Sequence, residues 1–81
     1  MKNPYEVEVV GEHDYGTILG HSVLVTEWSD GCYTVFASTK EYGTDYILLE
    51  NETVWETRPS EDEIKAEIDE EMERRYDAMH S

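Results

Sequence analysis

Three histidines, one cysteine and twenty carboxylates are the side chains of this sequence that could carry chemistry. His13 and His21 bracket the stretch HDYGTILGH, with Asp14 beside the first. Histidine metal sites bring their ligands together at spacings that one turn or one helix face can close, as in H-x3–5-H. The separation of His13 and His21 is not such a spacing, and a histidine in a loop or at a strand end is ordinarily a polar surface group. Cys32 follows a turn glycine, and nothing in the sequence brings a histidine to it, as an activated thiolate would need. The chain has no glycine-rich phosphate loop and no C-x-x-C pair, and no two acids stand out as a pair with split roles. The expectation is a protein with no catalytic activity, no metal and no cofactor. A small hydrolase or metal enzyme built on the His13–His21 region is the least favoured reading.

The carboxylates are a different matter. Twenty Asp and Glu face six Lys and Arg, a net charge of −14 on 81 residues. The densest stretch is SEDEIKAEIDEEMERRYDAMH, residues 60–80, with nine acids and three bases. Binding a phosphate backbone requires Lys and Arg to displace counterions, so direct nucleic-acid binding is disfavoured. Anionic membrane surfaces are disfavoured for the same reason. A cationic protein surface, by contrast, would be drawn in and its encounter accelerated.

Length and composition narrow the class. Eighty-one residues form one small domain (1–81) with room for a single core. A hydrophobic content of 38%, including two Trp, six Tyr and one Phe, favours a folded chain over a disordered one. A lone cysteine fits a reducing compartment. The opening MKNPYEVEVV has no apolar signal core, and no apolar run approaches the ~18 residues of a membrane span. A cytoplasmic protein is expected.

The elements that must position the acids can be read from periodicity. Residues 1–58 read as strands. YEVEVV (Tyr5 to Val10) alternates and ends at Gly11, and GEHDYG reads as a polar loop. HSVLVTEW (His21 to Trp28) and CYTVFAST (Cys32 to Thr39) flank Asp30-Gly31, a hairpin signal. With a two-residue loop, Trp28 faces Tyr33. One face then carries Leu24, Thr26, Trp28, Tyr33, Val35 and Ala37, and the other Val23, Val25, Cys32 and Phe36 with Glu27 and Thr34. KEYGT reads as a loop. DYILLE (Asp45 to Glu50) and TVWET (Thr53 to Thr57) read as two strands turned at Asn51-Glu52, and Pro59 ends the pairing. Trp28, Phe36, Tyr46 and Trp55 are expected in the core.

Residues 60–80 read as a helix. Ser60 and Glu63 form a capping box, and Glu61, Asp62 and Glu63 occupy the first turn, where the helix dipole favours anions. Ile64, Ile68, Met72, Tyr76 and Met79 fall within an arc of about 120°, expected to be one buried stripe. Favourable i,i+4 pairs (Glu61–Lys65, Lys65–Asp69, Glu70–Arg74, Glu71–Arg75) are matched by repulsive ones (Glu63–Glu67, Glu67–Glu71, Asp69–Glu73, Glu73–Asp77). At roughly 0.2–0.5 kcal/mol each, with opposite signs, they about cancel. The outer arc is therefore neither neutralised nor held by its own bases.

The expected fold is α+β: an antiparallel meander of four to five strands with one C-terminal amphipathic acidic helix, or alternatively a small SH3-like barrel plus helix. The acidic face reads in two ways. It could be only a solvated surface that keeps a small protein soluble. The sharper reading is a small non-enzymatic inhibitor whose face substitutes for DNA on a basic, nucleic-acid-handling surface of a larger protein, such as a nuclease complex. Phage anti-CRISPR and anti-restriction proteins are of this type, an analogy of kind and not of motif. The expected partner-binding residues are Glu63, Glu67, Asp69, Glu70, Glu73 and Asp77, with Tyr15 and Tyr42 as aromatic anchors in glycine-containing loops. The protein is expected to be a monomer or weak homodimer. The alternative is a structural or adaptor module that dimerises through an apolar sheet face.

Overall fold

The computed structural model describes residues 7–41 and 43–80. Four antiparallel strands form one open sheet in the order β1-β2-β3-β4, followed by a single helix. The strands are β1 (Val9–Ile18), β2 (His21–Trp28), β3 (Tyr33–Glu41) and β4 (Thr44–Trp55), and the helix α1 spans Glu61–His80. This is the α+β meander, and the sheet does not close into a barrel. The helix lies against β4 and β1, the two edge strands, so the sheet curls toward it.

The first strand corrects the sequence reading. GEHDYG is no loop but the body of β1, while Tyr5 and Glu6 lie outside the described residues. Its polarity has period two: Glu12 and Asp14 are exposed, whereas Gly11, His13 and Tyr15 are half-buried. The glycines that suggested a loop sit instead at bulges, where the register shifts between Val9 and Gly11 and between Asp14 and Gly16. The strand turns at Leu19-Gly20, both with positive φ (49° and 79°), the geometry of a tight type I′ hairpin.

The β2–β3 hairpin is shifted by one residue from expectation. The Gly31 amide donates to the Trp28 carbonyl (3.0 Å) and the Trp28 amide to the Cys32 carbonyl (2.9 Å). The loop is therefore Ser29-Asp30-Gly31, with Gly31 at φ 88°, a three-residue hairpin ending in a left-handed glycine. Glu27, not Trp28, pairs with Tyr33. A one-residue slip sends every side chain of one strand to the other face. Val23, Val25, Val35 and Ala37 accordingly share the helix side and are all buried. Leu24, Thr26, Trp28, Thr34 and Phe36 share the other. There the Trp28 indole donates to Thr34 Oγ1 (2.8 Å), and that hydroxyl donates to Asn51 Oδ1 (2.8 Å).

The two strands expected after residue 44 are one. At Asn51 the backbone takes φ 58°, but the chain bulges rather than reverses. Asn51, Glu52 and Thr53 lie between the pairs Phe36↔Glu50 and Thr34↔Val54. A second irregularity leaves Leu48 between Ala37↔Leu49 and Ser38↔Ile47, which lets the adjacent Leu48 and Leu49 both reach the core.

The helix begins at the expected capping box. The Ser60 amide donates to Glu63 Oε1 (3.1 Å) and the Glu63 amide to Ser60 Oγ (3.2 Å). The described part of its apolar stripe is only half used, and the side chain of Met79 lies outside what the structure describes. Ile64 and Ile68 are fully buried, but Met72 is 44% and Tyr76 63% exposed. Each i,i+4 step advances about 40° around a helix of 3.6 residues per turn, so the stripe winds off the sheet within three steps. Glu71 and Arg75, close to the azimuth of Ile64, take its place. The core is therefore aliphatic: Ile18, Val23, Val25, Val35, Ala37, Leu48, Leu49, Ile64 and Ile68. Trp28, Phe36 and Trp55, expected inside, are half-buried, and Tyr46 is 42% exposed, because the narrow space between helix and sheet takes branched aliphatics.

Ile68→Ala is expected to cost about 2–5 kcal/mol, and Met72→Ala about 1 kcal/mol or less, as befits an exposed side chain. Urea denaturation of the two variants checks this; equal losses would contradict the winding of the stripe.

Candidate functional site

The helix carries its acids in two settings. Asp62, Asp69, Glu70, Glu73 and Asp77 are exposed and fall within an arc of about 100° on the side away from the core. From Asp62 to Asp77 that strip is about 22 Å long at 1.5 Å per residue. Glu67 and Glu71 are half-buried and turn toward the sheet. Thr53 Oγ1 donates to Glu67 Oε1 (3.1 Å). Glu63, also exposed, is engaged by the cap.

Neutralisation is confined to one end of the helix. Arg74 pairs with Glu70 (3.3 Å) and Glu71 (2.7 Å), and Arg75 with Glu71 (3.1 Å). Of the four favourable i,i+4 pairs expected, the two involving Lys65 do not form. Among the described residues no basic side chain comes within ion-pair distance of Asp62, Glu63, Glu67, Asp69, Glu73 or Asp77. Six of the expected partner-binding residues thus divide: Asp69, Glu70, Glu73 and Asp77 face outward together, Glu63 flanks them at the cap, and Glu67 faces β4.

Arg75 is a fastening that the sequence reading missed. Its guanidinium donates to the Tyr46 hydroxyl (2.8 Å), the Ile47 carbonyl (3.2 Å), the Leu48 carbonyl (3.1 Å) and Glu71 Oε1 (3.1 Å). It also lies over the Tyr46 ring, 5.3 Å from the centroid. Hydrogen bonding to Tyr46, and then to Glu71, raises its already high pKa against the opposing effect of partial burial. The only sequence signal was the Glu71–Arg75 spacing, which says nothing of contacts to β4.

Tyr15 is likewise a fastening. Expected to project from a loop, it is half-buried in β1, donates from its hydroxyl to the Pro59 carbonyl (2.6 Å) and accepts from Arg58 Nε (2.9 Å). It ties the first strand to the start of the helix. Tyr42 lies outside the described residues.

The candidate catalytic groups are dispersed. His13 Nε2 is 3.2 Å from Glu27 Oε1 on the neighbouring strand. His21, 7% exposed, bonds through Nδ1 to the Leu19 carbonyl of its own turn (3.0 Å). His13 lies opposite Val25 and His21 opposite Ile18, four residues or about 13 Å apart along the ladder. Partial burial, and then the Asp30 carboxylate beside it, push the Cys32 thiol above its ordinary value, which works against a thiolate nucleophile. No group of three or more His, Cys, Asp or Glu among the described residues could hold a metal ion. No helix among them is long and apolar enough to cross a membrane.

Among the described residues, one buried side-chain polar atom has no protein partner. The Trp55 indole nitrogen is buried without an acceptor, in a crevice of about 40 Å³ also lined by Glu67, Glu71 and Arg74. That space fits a water bridging the indole to a carboxylate.

No known protein family, curated protein or solved structure matches this chain.

Two outcomes follow. Arg75→Met, which keeps the stem and removes the donors, is expected to cost about 1–3 kcal/mol and to speed amide exchange in residues 72–78 more than in 64–68. Uniform exchange changes would contradict its role as a pin. Raising NaCl from about 0.01 to about 0.5 M, which shortens the Debye length from roughly 30 Å to under 10 Å, is expected to raise Tm by screening the unpaired acids. A Tm that falls would mean ion pairs dominate.

Proposed function

We propose that this protein is a small inhibitory binding protein whose outward helix face occupies a basic, nucleic-acid-binding surface of a larger protein. The observation that carries the reading is the exposed strip Asp62, Asp69, Glu70, Glu73 and Asp77, of which only Glu70 has an ion-pair partner among the described residues. The five outward acids span about 22 Å, on average about one per 5.6 Å of helix axis, within a factor of two of the 3.4 Å per phosphate along one strand of duplex DNA. A groove lined with Lys and Arg for phosphates can accept such a row. A rigid helix presents it without the ordering cost that a flexible acidic tail would incur.

The remaining exposed acids contribute at longer range. Glu12, Asp14 and Glu50 pair with Thr26, Leu24 and Phe36 and so lie on the sheet face away from the helix. They add to the field that steers a cationic partner but cannot touch the same groove. Tyr15, engaged with Pro59 and Arg58, is left out of the contact surface. A cytoplasmic inhibitor of the kind phages direct against host nucleases, anti-CRISPR and anti-restriction proteins among them, fits this reading by analogy of type.

The competing reading is an adaptor that dimerises through the uncovered sheet face, where Leu24, Trp28 and Phe36 are half-buried and Val54 is 63% exposed. Glu12, Asp14 and Glu50 flank that face, so stacking two copies would oppose like charges. This favours the inhibitor.

The sequence alone would choose Glu67, Glu70 and Glu73 for charge reversal; the packing of Glu67 against β4 moves the choice to Asp69, Glu73 and Asp77. Immobilised protein is expected to retain nucleic-acid-binding proteins from a cell lysate, and to release them to excess duplex DNA or about 0.5 M NaCl. The variant D69K/E73K/D77K is expected to lose capture while keeping its circular dichroism and Tm within a few degrees. Capture indifferent to DNA, salt and the triple reversal would remove the proposal.

A further inference from the structure

We propose that the groove between the β1–β2 turn, the start of β4 and the far half of α1 is the specificity pocket of the same interface, taking an apolar side chain of the partner that is flanked by Lys or Arg. This deepens the inhibitor reading and rests on it for the basic character of the partner.

Three observations meet here. The first is Leu19. It occupies the first loop position of a type I′ turn at φ 49°, where asparagine or glycine is at ease and leucine is strained by roughly 1 kcal/mol. Its side chain is 44% exposed, so the core does not hold it there. An exposed apolar residue in a strained conformation is what a contact surface, rather than folding, would select.

The second is what faces it. The winding of the helical stripe leaves Met72 (44% exposed) and Tyr76 (63% exposed) beside the sheet instead of under it, and Tyr46 is 42% exposed across from them. Together with Leu19, Leu48 and Arg75 they line a groove of about 600 Å³. Leucine aside, these are residue types enriched where protein interfaces concentrate their energy. Arg75 fixes one wall through its bonds to the Ile47 and Leu48 carbonyls, so the groove needs no ordering on binding.

The third is charge. Leu19 also borders a hollow along the helix flank lined by Asp62, Lys65 and Asp69, two carboxylates to one amine. Asp69 has no ion-pair partner among the described residues and belongs to the outward acidic strip. A partner segment running along the helix would meet the acids of this flank and then the apolar groove. Its matching chemistry is a basic residue or two beside one large apolar side chain. A second copy of this chain is a poor occupant, since each copy carries a net charge of −14.

Two synthetic peptides of equal length and charge serve as probes: one of Lys with interspersed Leu, the other of Lys with Ser in place of Leu. Titration calorimetry of each is carried out against the wild type, Leu19→Asn and Met72→Gln. Asn-Gly is the preferred type I′ pair, so Leu19→Asn is expected to hold or raise Tm, and a loss of binding in it is not a loss of fold. The Leu peptide is expected to bind the wild type about tenfold tighter than the Ser peptide, a difference of about 1.4 kcal/mol, and both variants are expected to erase most of that advantage. Their affinity for the Ser peptide stays unchanged, and it falls with salt. Equal affinity of the two peptides for the wild type, or an advantage that survives both substitutions, overturns the groove while leaving the acidic face standing. Failure of both peptides to bind at low salt overturns both. A wild-type dimer in sedimentation that Leu19→Asn dissociates would overturn the choice of occupant.

Discussion

Ile64 and Ile68 attach the helix to the sheet, and almost everything distinctive about the molecule follows from the attachment resting on this pair. Among the described side chains of the helix they are the two with no exposure at all, one turn apart. Continuing the same four-residue spacing rotates the next apolar residue out of the interface, because 3.6 residues, not four, complete a turn. The sheet-facing positions of the second half then fall to Glu71 and Arg75. A charged pair at that seam is tolerable because it is only partly buried and because Arg75 satisfies two β4 carbonyls as well as its carboxylate. The helix is greasy at its root and ionic further out.

The charge distribution follows from this attachment. With two bases engaged at one end of α1 and Lys65 without an ion-pair partner among the described residues, the acids on the far side are left to water. Such a surface adds nothing to stability, since neighbouring carboxylates repel and the core of nine aliphatic side chains is small. The structure compensates locally. Tyr15 joins β1 to the chain before the helix, the capping box satisfies first-turn amides, and the Trp28–Thr34–Asn51 chain spans three strands on the uncovered face. An acidic row on a rigid support, unpaired among the described residues except at Glu70, is the feature on which the proposed inhibitor reading rests.

The parts of the fold legible in the sequence were those set by local chemistry. The Ser60–Glu63 cap gives the helix start because both partners lie within one turn. The β-branched run of β2 gives that strand from His21 to Trp28. The parts that failed were set by pairing across strands. Gly11 and Gly16 look like loop residues until β2 is laid beside them and they become bulges. Asn51 has turn character, and it does adopt a left-handed conformation, yet β3 keeps the chain running straight on. Asp30-Gly31 marked the hairpin but not whether Ser29 belonged to its loop, and that one residue moved the side chains of one strand to the opposite face relative to the other. The site divides in the same way. Outward acids could be read from helical periodicity, whereas the sheetward turn of Glu67, the pinning by Arg75 and the exposure of Met72 and Tyr76 depend on where a straight helix leaves a curled sheet.

Carboxyl footprinting, with carbodiimide coupling read by mass spectrometry on the free protein and on its complex with a purified captured partner, tests the central claim most directly. Asp69, Glu73 and Asp77 should react readily in the free protein and become protected in the complex, while Glu12, Asp14 and Glu50 react alike in both. Protection of Glu12, Asp14 and Glu50 with the helix acids unchanged, or helix acids inert in the free protein, would contradict the claim that the outward face of α1 is the surface that binds.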